Sequence, residues 1–234
     1  MRLLAELVVV VVVLRHAQGD ASLQCVSGPF HKPSPSKEVD IGANTACGEY
    51  VSLSCCPANV SDAIDRQGDR ELYNFHWDDC GTIPDACEQY LKAESCFFEC
   101  DPYLGPWKGK WDGTLNKVPI CASYCDQWFE ACKDVRLCAA NWITDFEKNS
   151  TTGRYHCIND TCQTFTQFYQ NGKGLCEIMW GDSFQYVADN QNCMVMKFEG
   201  DNPNAEVTSG ATHIACWQSS LFLLLVVVYS LFQS

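Results

Sequence analysis

Basic residues are scarce in this chain of 234 residues, which has 16 Lys and Arg against 29 Asp and Glu and a formal net charge of −13. A surface with this excess of negative charge repels a phosphate backbone. The composition therefore excludes nucleic acid as a partner.

Sequence motifs for catalysis and metal binding are missing as well. Outside the two apolar ends the histidines are only His31, His76 and His156, and the sequence contains no GxSxG, HExxH or CxxC motif. Nucleophilic hydrolysis and structural zinc sites depend on such groupings. We therefore predict that the protein is not an enzyme, uses no cofactor and binds no metal.

Cysteine is the residue that the chain has in excess, with 17 in all. Cysteines at this density persist as disulfides in an oxidising compartment, so we expect a secreted or cell-surface protein. No linker divides the cysteines, which predicts one disulfide-rich globular domain at residues 20–196. The Asn-, Gly- and Ser-rich residues 197–211 are typical of a stalk.

Residues 1–19 have the pattern of a secretory signal peptide. Arg2 precedes the apolar run of residues 7–14, and small residues follow at Ala17 and Gly19. The alternative is a membrane anchor, but about 12 apolar residues are too few to cross a bilayer core of about 30 Å.

The opposite end has the pattern of a glycosylphosphatidylinositol (GPI) anchor signal, which we place at residues 212–234. Small residues precede a mixed spacer and an apolar run, and no Lys or Arg follows. We expect attachment at Ser209 or Gly210; a short transmembrane helix and simple secretion remain alternatives. Removal of both ends leaves sixteen cysteines, an even number that permits eight disulfides.

The predicted fold class is α+β, rich in helix with short strands. In residues 118–135, Cys121, Cys125, Trp128 and Cys132 recur on one face of a helical period. Residues 84–100 begin with a proline, which favours a helix start. Residues 174–180 predict a third helix, and the apolar residues 194–196 a short strand.

Three asparagines begin Asn-X-Ser/Thr sequons, and in a secreted chain each sequon is expected to carry a glycan. They are Asn59, Asn149 and Asn159. Glycans require exposed backbone, so these segments are expected at the surface.

Tryptophan is also abundant, with six residues between the apolar ends at positions 77, 107, 111, 128, 142 and 180. Aromatic rings suit a pocket that holds a planar ligand between them. The alternative is that the rings pack a core between the disulfides. We expect core packing for most of them and a cavity position for two or three.

Six segments of the chain carry recognisable motifs, at residues 55–59, 73–81, 96–102, 118–134, 138–142 and 179–184. Together these segments resemble the folate receptor and riboflavin-binding protein family. The resemblance covers about residues 25–199, with all sixteen cysteines in register, and implies a folate receptor-like domain with eight disulfides. The pairing that it implies is Cys25–Cys55, Cys47–Cys96, Cys56–Cys100, Cys80–Cys162, Cys87–Cys132, Cys121–Cys193, Cys125–Cys176 and Cys138–Cys157.

The resemblance implies a vitamin ligand but divides between two branches of the family. Glu94 lies where folate receptors carry the aspartate that binds the pterin. The basic residues that folate receptors have at the pocket entrance are replaced at positions 111, 114, 143 and 144 by Trp, Thr, Ile and Thr. An entrance without cations is therefore expected. Residues 141–147 and 179–184 are instead similar to the riboflavin-binding branch, in which two aromatic residues hold the flavin ring.

We therefore predict a GPI-anchored cell-surface receptor that binds riboflavin non-covalently for uptake, with Trp111 and Trp180 stacked on the ring. Four more aromatic residues would line the cavity, and Glu94 and Ser183 would hydrogen-bond polar edges of the ligand. These four aromatic residues are Tyr73, Phe75, Trp142 and Phe146. The alternatives are a folate or pterin receptor, and a family member that binds a protein partner without a vitamin, as a gamete receptor does.

Overall fold

The computed structural model describes residues 23–159 and 161–208. The predicted signal peptide, the anchor signal and the attachment site at Ser209 or Gly210 lie outside these residues. In the described part of the chain the helices are α1 (Ala58–Gln67), α2 (Asp69–Tyr73), α3 (Asp85–Cys100), α4 (Ala122–Cys132), α5 (Phe165–Tyr169) and α6 (Gly172–Ile178). Short 3₁₀ turns lie at Gly48–Tyr50, Gly105–Trp107 and Gly181–Ser183.

The strands of the described residues form three two-stranded sheets. They are β1 (Val118–Cys121) parallel to β6 (Phe184–Val187), β2 (Arg136–Leu137) antiparallel to β5 (Gln163–Thr164), and β3 (Phe146–Lys148) antiparallel to β4 (Tyr155–Cys157). In the first pair Val118 lies opposite Phe184. Helices combined with short strands confirm the predicted α+β class.

The helix predicted over residues 118–135 is shorter than expected. Its first four residues form β1, and only then does α4 begin. Pro119 explains the difference, because proline removes a helical N–H donor and biases the preceding residue toward extended backbone. The predicted inward face is present in α4, where Cys125, Trp128 and Cys132 are fully buried.

The other two predicted helices lie close to their expected ranges. Pro84 is the N-cap of α3 rather than its first residue. The start of α6 comes earlier than predicted because the Asn171 side chain accepts a hydrogen bond of 2.9 Å from the backbone N–H of Gly174.

The strand predicted at residues 194–196 is not formed. Among the described residues this segment makes a single β-bridge, between Met194 and Ile120. The backbone N–H and carbonyl of Val195 bond instead to the side chain of Asn204, at 3.0 and 2.9 Å. A side chain thus occupies the groups that a neighbouring strand would need.

Eight disulfides join the sixteen cysteines of the described residues, in the pairs that the family resemblance implies. The pairs are Cys25–Cys55, Cys47–Cys96, Cys56–Cys100, Cys80–Cys162, Cys87–Cys132, Cys121–Cys193, Cys125–Cys176 and Cys138–Cys157. Helix α4 is thereby bonded to both α3 and α6. The bridge between α4 and α6 spans 51 residues, a loop whose closure stabilises the fold by about 4 kcal/mol on the chain-entropy account.

The N-terminal arm (residues 23–46) packs along the domain between Cys25 and Cys47. Ser36 and Ser54 form an isolated antiparallel β-bridge. The ring of Phe30 packs edge to face on that of Tyr73, with the two ring centroids 5.1 Å apart. The arm therefore supports a side chain that lines the cavity described below.

Part of the stalk predicted at residues 197–211 packs against the domain. Residues 204–208 are helical, and Asn204, Val207 and Thr208 are buried. The cause is the buried carboxylate of Asp101, which accepts hydrogen bonds from the side-chain amides of Asn202 at 3.1 Å and Asn204 at 2.8 Å. The packed domain thus extends past residue 196, to residue 208 at least.

Replacing Asn204 by alanine is expected to lower the free energy of unfolding by about 2–3 kcal/mol, because the variant leaves Asp101 and the Val195 backbone with fewer partners in a buried site. Guanidinium denaturation with the disulfides intact measures this change. The matched control is Glu206→Ala in the same segment, an exposed residue that should change stability by less than about 0.5 kcal/mol. Equal stability of the two variants would contradict the prediction.

Candidate ligand-binding cavity

A cavity of about 780 Å³ opens on the surface of the domain. Most of the residues predicted to bind a ligand line it: Tyr73, Phe75, Glu94, Trp111, Trp142, Trp180 and Ser183. Its size is typical of small-molecule sites. The structure thus brings together residues from five separate regions of the sequence.

The inner wall of the cavity is aromatic. Phe75 and Trp142 are buried and their ring centroids lie 5.1 Å apart, and Trp142 meets the half-buried Trp180 edge to face at 5.5 Å. Phe146 was predicted to line the cavity, but it is not among the lining residues. Its ring instead packs against the ring of Phe75, which does line the cavity, with the two centroids 4.6 Å apart.

Trp111 lies at the tip of a tight hairpin of residues 108–115, which we call the entrance hairpin. An antiparallel β-bridge between Lys108 and Leu115 closes this hairpin. The side chain of Trp111 is 69% exposed. A side chain at Gly109 would collide with Thr114, its nearest atom being 2.3 Å away. The two predicted stacking residues thus hold different positions, Trp180 on the wall and Trp111 at the exposed rim.

The entrance also contains a cation, in contrast to the expectation from the sequence. Lys110 lines the cavity, and its ammonium group lies 5.0 Å from the centroid of the Trp111 ring. The comparison of positions 111, 114, 143 and 144 missed Lys110 because it is not one of these positions; it directly precedes Trp111 on the entrance hairpin. A negatively charged group at the entrance would therefore lie near one positively charged side chain, that of Lys110.

Three carboxyl groups line the cavity at its buried end, and we call Asp69, Glu94 and Glu99 the acidic floor. The Asp69 carboxylate accepts a hydrogen bond of 2.8 Å from Ser95. The Tyr73 hydroxyl donates to Glu99. Within the described residues, Glu94 has neither a hydrogen bond nor an ion pair.

The acidic floor retains protons near neutral pH. Burial raises the pKa of Glu94 well above its ordinary value, and the negative charges of Asp69 and Glu99 raise it further. Burial also raises the pKa of Asp69 to about 6, against the hydrogen bond from Ser95, and that of Glu99 to about 7.

His31, from the N-terminal arm, lies behind the acidic floor. Its Nε2 donates to the carbonyl of Phe98 at 3.0 Å, which leaves Nδ1 at 3.4 Å from Glu99 Oε2. Burial lowers the pKa of His31, so the ring is neutral and presents a lone pair to Glu99. This contact is favourable when Glu99 carries the proton.

A sequence model of the folate receptor family matches residues 24–195. The chain belongs to the folate receptor family. The matched range contains all sixteen paired cysteines, the aromatic wall, the entrance hairpin and the acidic floor.

The chain is similar to several named members of the folate receptor family. It is 35% identical over 173 residues to a riboflavin-binding protein of Gallus gallus, which covers 74% of this chain and 71% of that protein. It is 32% identical over 202 residues to folate receptor gamma of Homo sapiens, with 82% and 80% covered. It is 30% identical over 225 residues to folate receptor alpha of Homo sapiens, with 88% and 86% covered. These proteins are named for binding and for reception, not for catalysis.

Several cavity residues of this folate receptor-like domain were not predicted. Glu94, Ser95, Phe98 and Glu99 recur at i, i+1, i+4 and i+5 of α3, one broad helix face, so Glu99 had a signal in the sequence. Asp69 had no such signal in the sequence, because it belongs to α2. It reaches the acidic floor only because α2 contacts α3 in the folded protein.

A possible metal-ligand group lies outside the cavity. The ligand atoms of His76, Asp78 and Asp79 lie within 4.8 Å of one another. Arg70 pairs with Asp78 at 2.6 Å, and Arg154 pairs with Asp79. These ion pairs account for the carboxylates without a metal.

Across residues 23–159 and 161–208, none of the helices combines the length and the apolar character needed to cross a membrane.

Proposed function

We propose that this member of the folate receptor family is a cell-surface receptor or carrier that binds riboflavin non-covalently in the cavity and supports its uptake. The observation that carries the proposal is the aromatic wall of Phe75, Trp142 and Trp180 around a cavity of about 780 Å³. The similarity to a riboflavin-binding protein supports it.

The flavin ring suits this wall for two physical reasons. Burial of its flat apolar faces contributes about 25 cal/mol per Å², and each contact with an aromatic side chain adds about 0.5–1.5 kcal/mol. Riboflavin carries no charge at neutral pH, so the net charge of −13 does not oppose its binding. In this proposal Trp180 contacts the flavin ring from the wall, and Trp111 covers it from the entrance hairpin.

Folate or another pterin is the second candidate ligand. The specific observation in its favour is Lys110, which lines the entrance and supplies a cation for a carboxylate-bearing tail. The similarity to folate receptors gamma and alpha supports this candidate as well.

The proposed location is the outer face of the plasma membrane. It depends on a signal peptide at residues 1–19 and on a GPI anchor at Ser209 or Gly210, both predicted from the sequence. Asn59, Asn149 and Asn159 are exposed, as glycosylation requires. Release of the protein from intact cells by a phosphatidylinositol-specific phospholipase tests the anchor.

Quenching of riboflavin fluorescence on titration with the purified protein tests the proposed function. We expect saturable quenching at one site, because a flavin stacked on indole rings loses its emission. If folate binds saturably and riboflavin fluorescence is not quenched, folate becomes the proposed ligand instead of riboflavin. No binding of either vitamin would favour a protein partner.

Replacing Lys110 by glutamine is expected to weaken folate binding by about three- to tenfold, because one exposed charge pair is lost. Riboflavin affinity should stay within about twofold, since riboflavin has no charge to pair. The matched control is Lys173→Gln, an exposed lysine of α6 outside the cavity. An equal loss of affinity for both vitamins in K110Q would show that Lys110 acts through Trp111 instead of through charge.

A further inference from the structure

Glu94 differs from the other two carboxyls of the acidic floor. Asp69 is bonded to Ser95, and Glu99 to Tyr73. Glu94 is only 6% exposed and lines the cavity, and it makes no hydrogen bond or ion pair with any described residue. A buried polar side chain at the cavity surface without a partner in the protein is a group that a ligand can satisfy.

The surroundings of Glu94 favour a neutral carboxylic acid over a carboxylate. The titratable groups that act on Glu94 are two carboxyls and two phenols, those of Asp69, Glu99, Tyr73 and Tyr124. His31, which lies behind Glu99, is uncharged. Among the described lining residues Lys110 is the sole cation, and it lies at the exposed rim. An ionised carboxylate without a counter-charge is strongly disfavoured in such a site, and the raised pKa of Glu94 agrees with this argument.

We propose that Glu94 is a protonated acid at neutral pH and that its hydroxyl donates a hydrogen bond to a ring carbonyl of the ligand, so that Glu94 selects ligands with a dioxopyrimidine end. This inference rests on the proposed function for the identity of the ligand.

The chemistry of the flavin sets its orientation in the cavity. The dimethylbenzene end is apolar and cannot satisfy buried acids, and the polar ribityl chain is best solvated at the entrance. The dioxopyrimidine end therefore faces the acidic floor. That end alternates two carbonyl acceptors with one N–H donor. A protonated Glu94 beside the carboxylate of Asp69, whose pKa is about 6, offers the complementary donor and acceptor.

A 2-aminopyrimidinone end, as in pterin, needs the opposite arrangement. It presents neighbouring N–H donors, which pair best with an ionised carboxylate. Lumazine (2,4-dioxopteridine) and pterin (2-amino-4-oxopteridine) share the pteridine ring and the 4-oxo group. They differ at position 2, which is a carbonyl beside an N1–H in lumazine and an amino group beside an acceptor N1 in pterin. The proposal predicts that lumazine binds about tenfold more tightly than pterin. Equal affinity or a preference for pterin would overturn it.

Isosteric variants of Glu94 test the hydrogen-bond role. Glutamine keeps the shape and an N–H donor, so E94Q should bind riboflavin within about threefold of the unmodified protein. Methionine keeps the length but offers no donor, so E94M should lose at least about tenfold. Equal large losses in E94Q and E94M would show that a carboxylate is required, which overturns the proposal while riboflavin binding by the unmodified protein still stands.

A measurement without ligand tests the protonation directly. The infrared difference spectrum of the unmodified protein minus E94Q at neutral pH should contain a positive carbonyl-stretch band of a protonated carboxylic acid. The bands of partly protonated Glu99 and Asp69 cancel in this difference, because both proteins contain these residues. Absence of that band overturns the proposal whatever the ligand is. Presence of the band and a preference for lumazine, together with no riboflavin binding, would support the role of Glu94 and reject riboflavin as the ligand.

Discussion

Replacing Trp180 by alanine is expected to weaken riboflavin binding by about 30- to 100-fold, measured by fluorescence quenching. The ring forms the wall beside Trp142 and the 3₁₀ turn Gly181–Ser183. Its loss removes a stacking face and opens that side of the cavity to water. The fold should survive, because Trp180 is only half-buried and the surrounding segments are held by disulfides.

Two further variants control for Trp180→Ala. Trp180→Phe keeps an aromatic face and should lose less than about tenfold in affinity. Ile178→Ala changes an exposed residue of the same segment that does not line the cavity, and it should bind as the unmodified protein does. If Trp180→Ala binds riboflavin as tightly as Ile178→Ala, the flavin does not lie against this wall.

The protein is expected to be more stable at pH 5 than at pH 7.5, the reverse of ordinary acid denaturation. Burial raises the folded-state pKa of Asp69 and Asp101 to about 6 and of Glu99 to about 7, above ordinary values of 3.8 and 4.5. The folded state therefore binds more protons than the unfolded state between about pH 4 and pH 7. Its free energy of unfolding falls as the pH rises through this window.

For Asp69, Asp101 and Glu99, the expected gain in the free energy of unfolding from pH 7.5 to pH 5 is about 2–4 kcal/mol, since one pKa unit corresponds to about 1.4 kcal/mol. Glu94 adds to this gain, because burial raises its pKa well above the ordinary value as well. His31 opposes this gain, because burial lowers its pKa and the unfolded state takes up that proton. Asp78 does not oppose it in this window, because its pKa is lowered from 3.8. Guanidinium unfolding with intact disulfides at the two pH values measures the difference.

Asp69→Asn is the matched control for the pH dependence. Asparagine can still accept the hydrogen bond from Ser95 but cannot titrate. The stability difference between the two pH values should shrink by about 1–3 kcal/mol in this variant. A free energy of unfolding that rises from pH 5 to pH 7.5 in the unmodified protein would contradict the assignment of raised pKa values to these buried carboxyls.

Much of the cavity could be predicted from the sequence because it is built from aromatic residues in recognisable segments. Tyr73, Phe75, Trp142 and Trp180 were expected there, and the structure places all four on it. Phe146 shows the limit of such patterns. A segment can be recognised, but which side of a strand faces the ligand depends on the layer beneath it.

The electrostatics of the cavity could not be predicted in the same way. Asp69 and Glu99 join Glu94 only when α2 packs beside α3, and His31 reaches Glu99 across a sequence separation of more than sixty residues. Lys110 reaches the entrance because a hairpin of eight residues turns there. Each of these placements changes the charge that a ligand meets.

The sequence by itself determined the class of this protein. It shows a domain with sixteen cysteines, enough for eight disulfides, a helical face that turns Cys125, Trp128 and Cys132 inward, and the motifs of the folate receptor family. These properties depend on residue type and on local spacing, which can be read along the chain. The tertiary structure decided which charges line the cavity, that Trp180 lies on its wall and Trp111 at its exposed rim, and that the packed domain continues at least to residue 208. The reason is that burial and proximity set pKa values and exposure, and both arise only when distant segments meet.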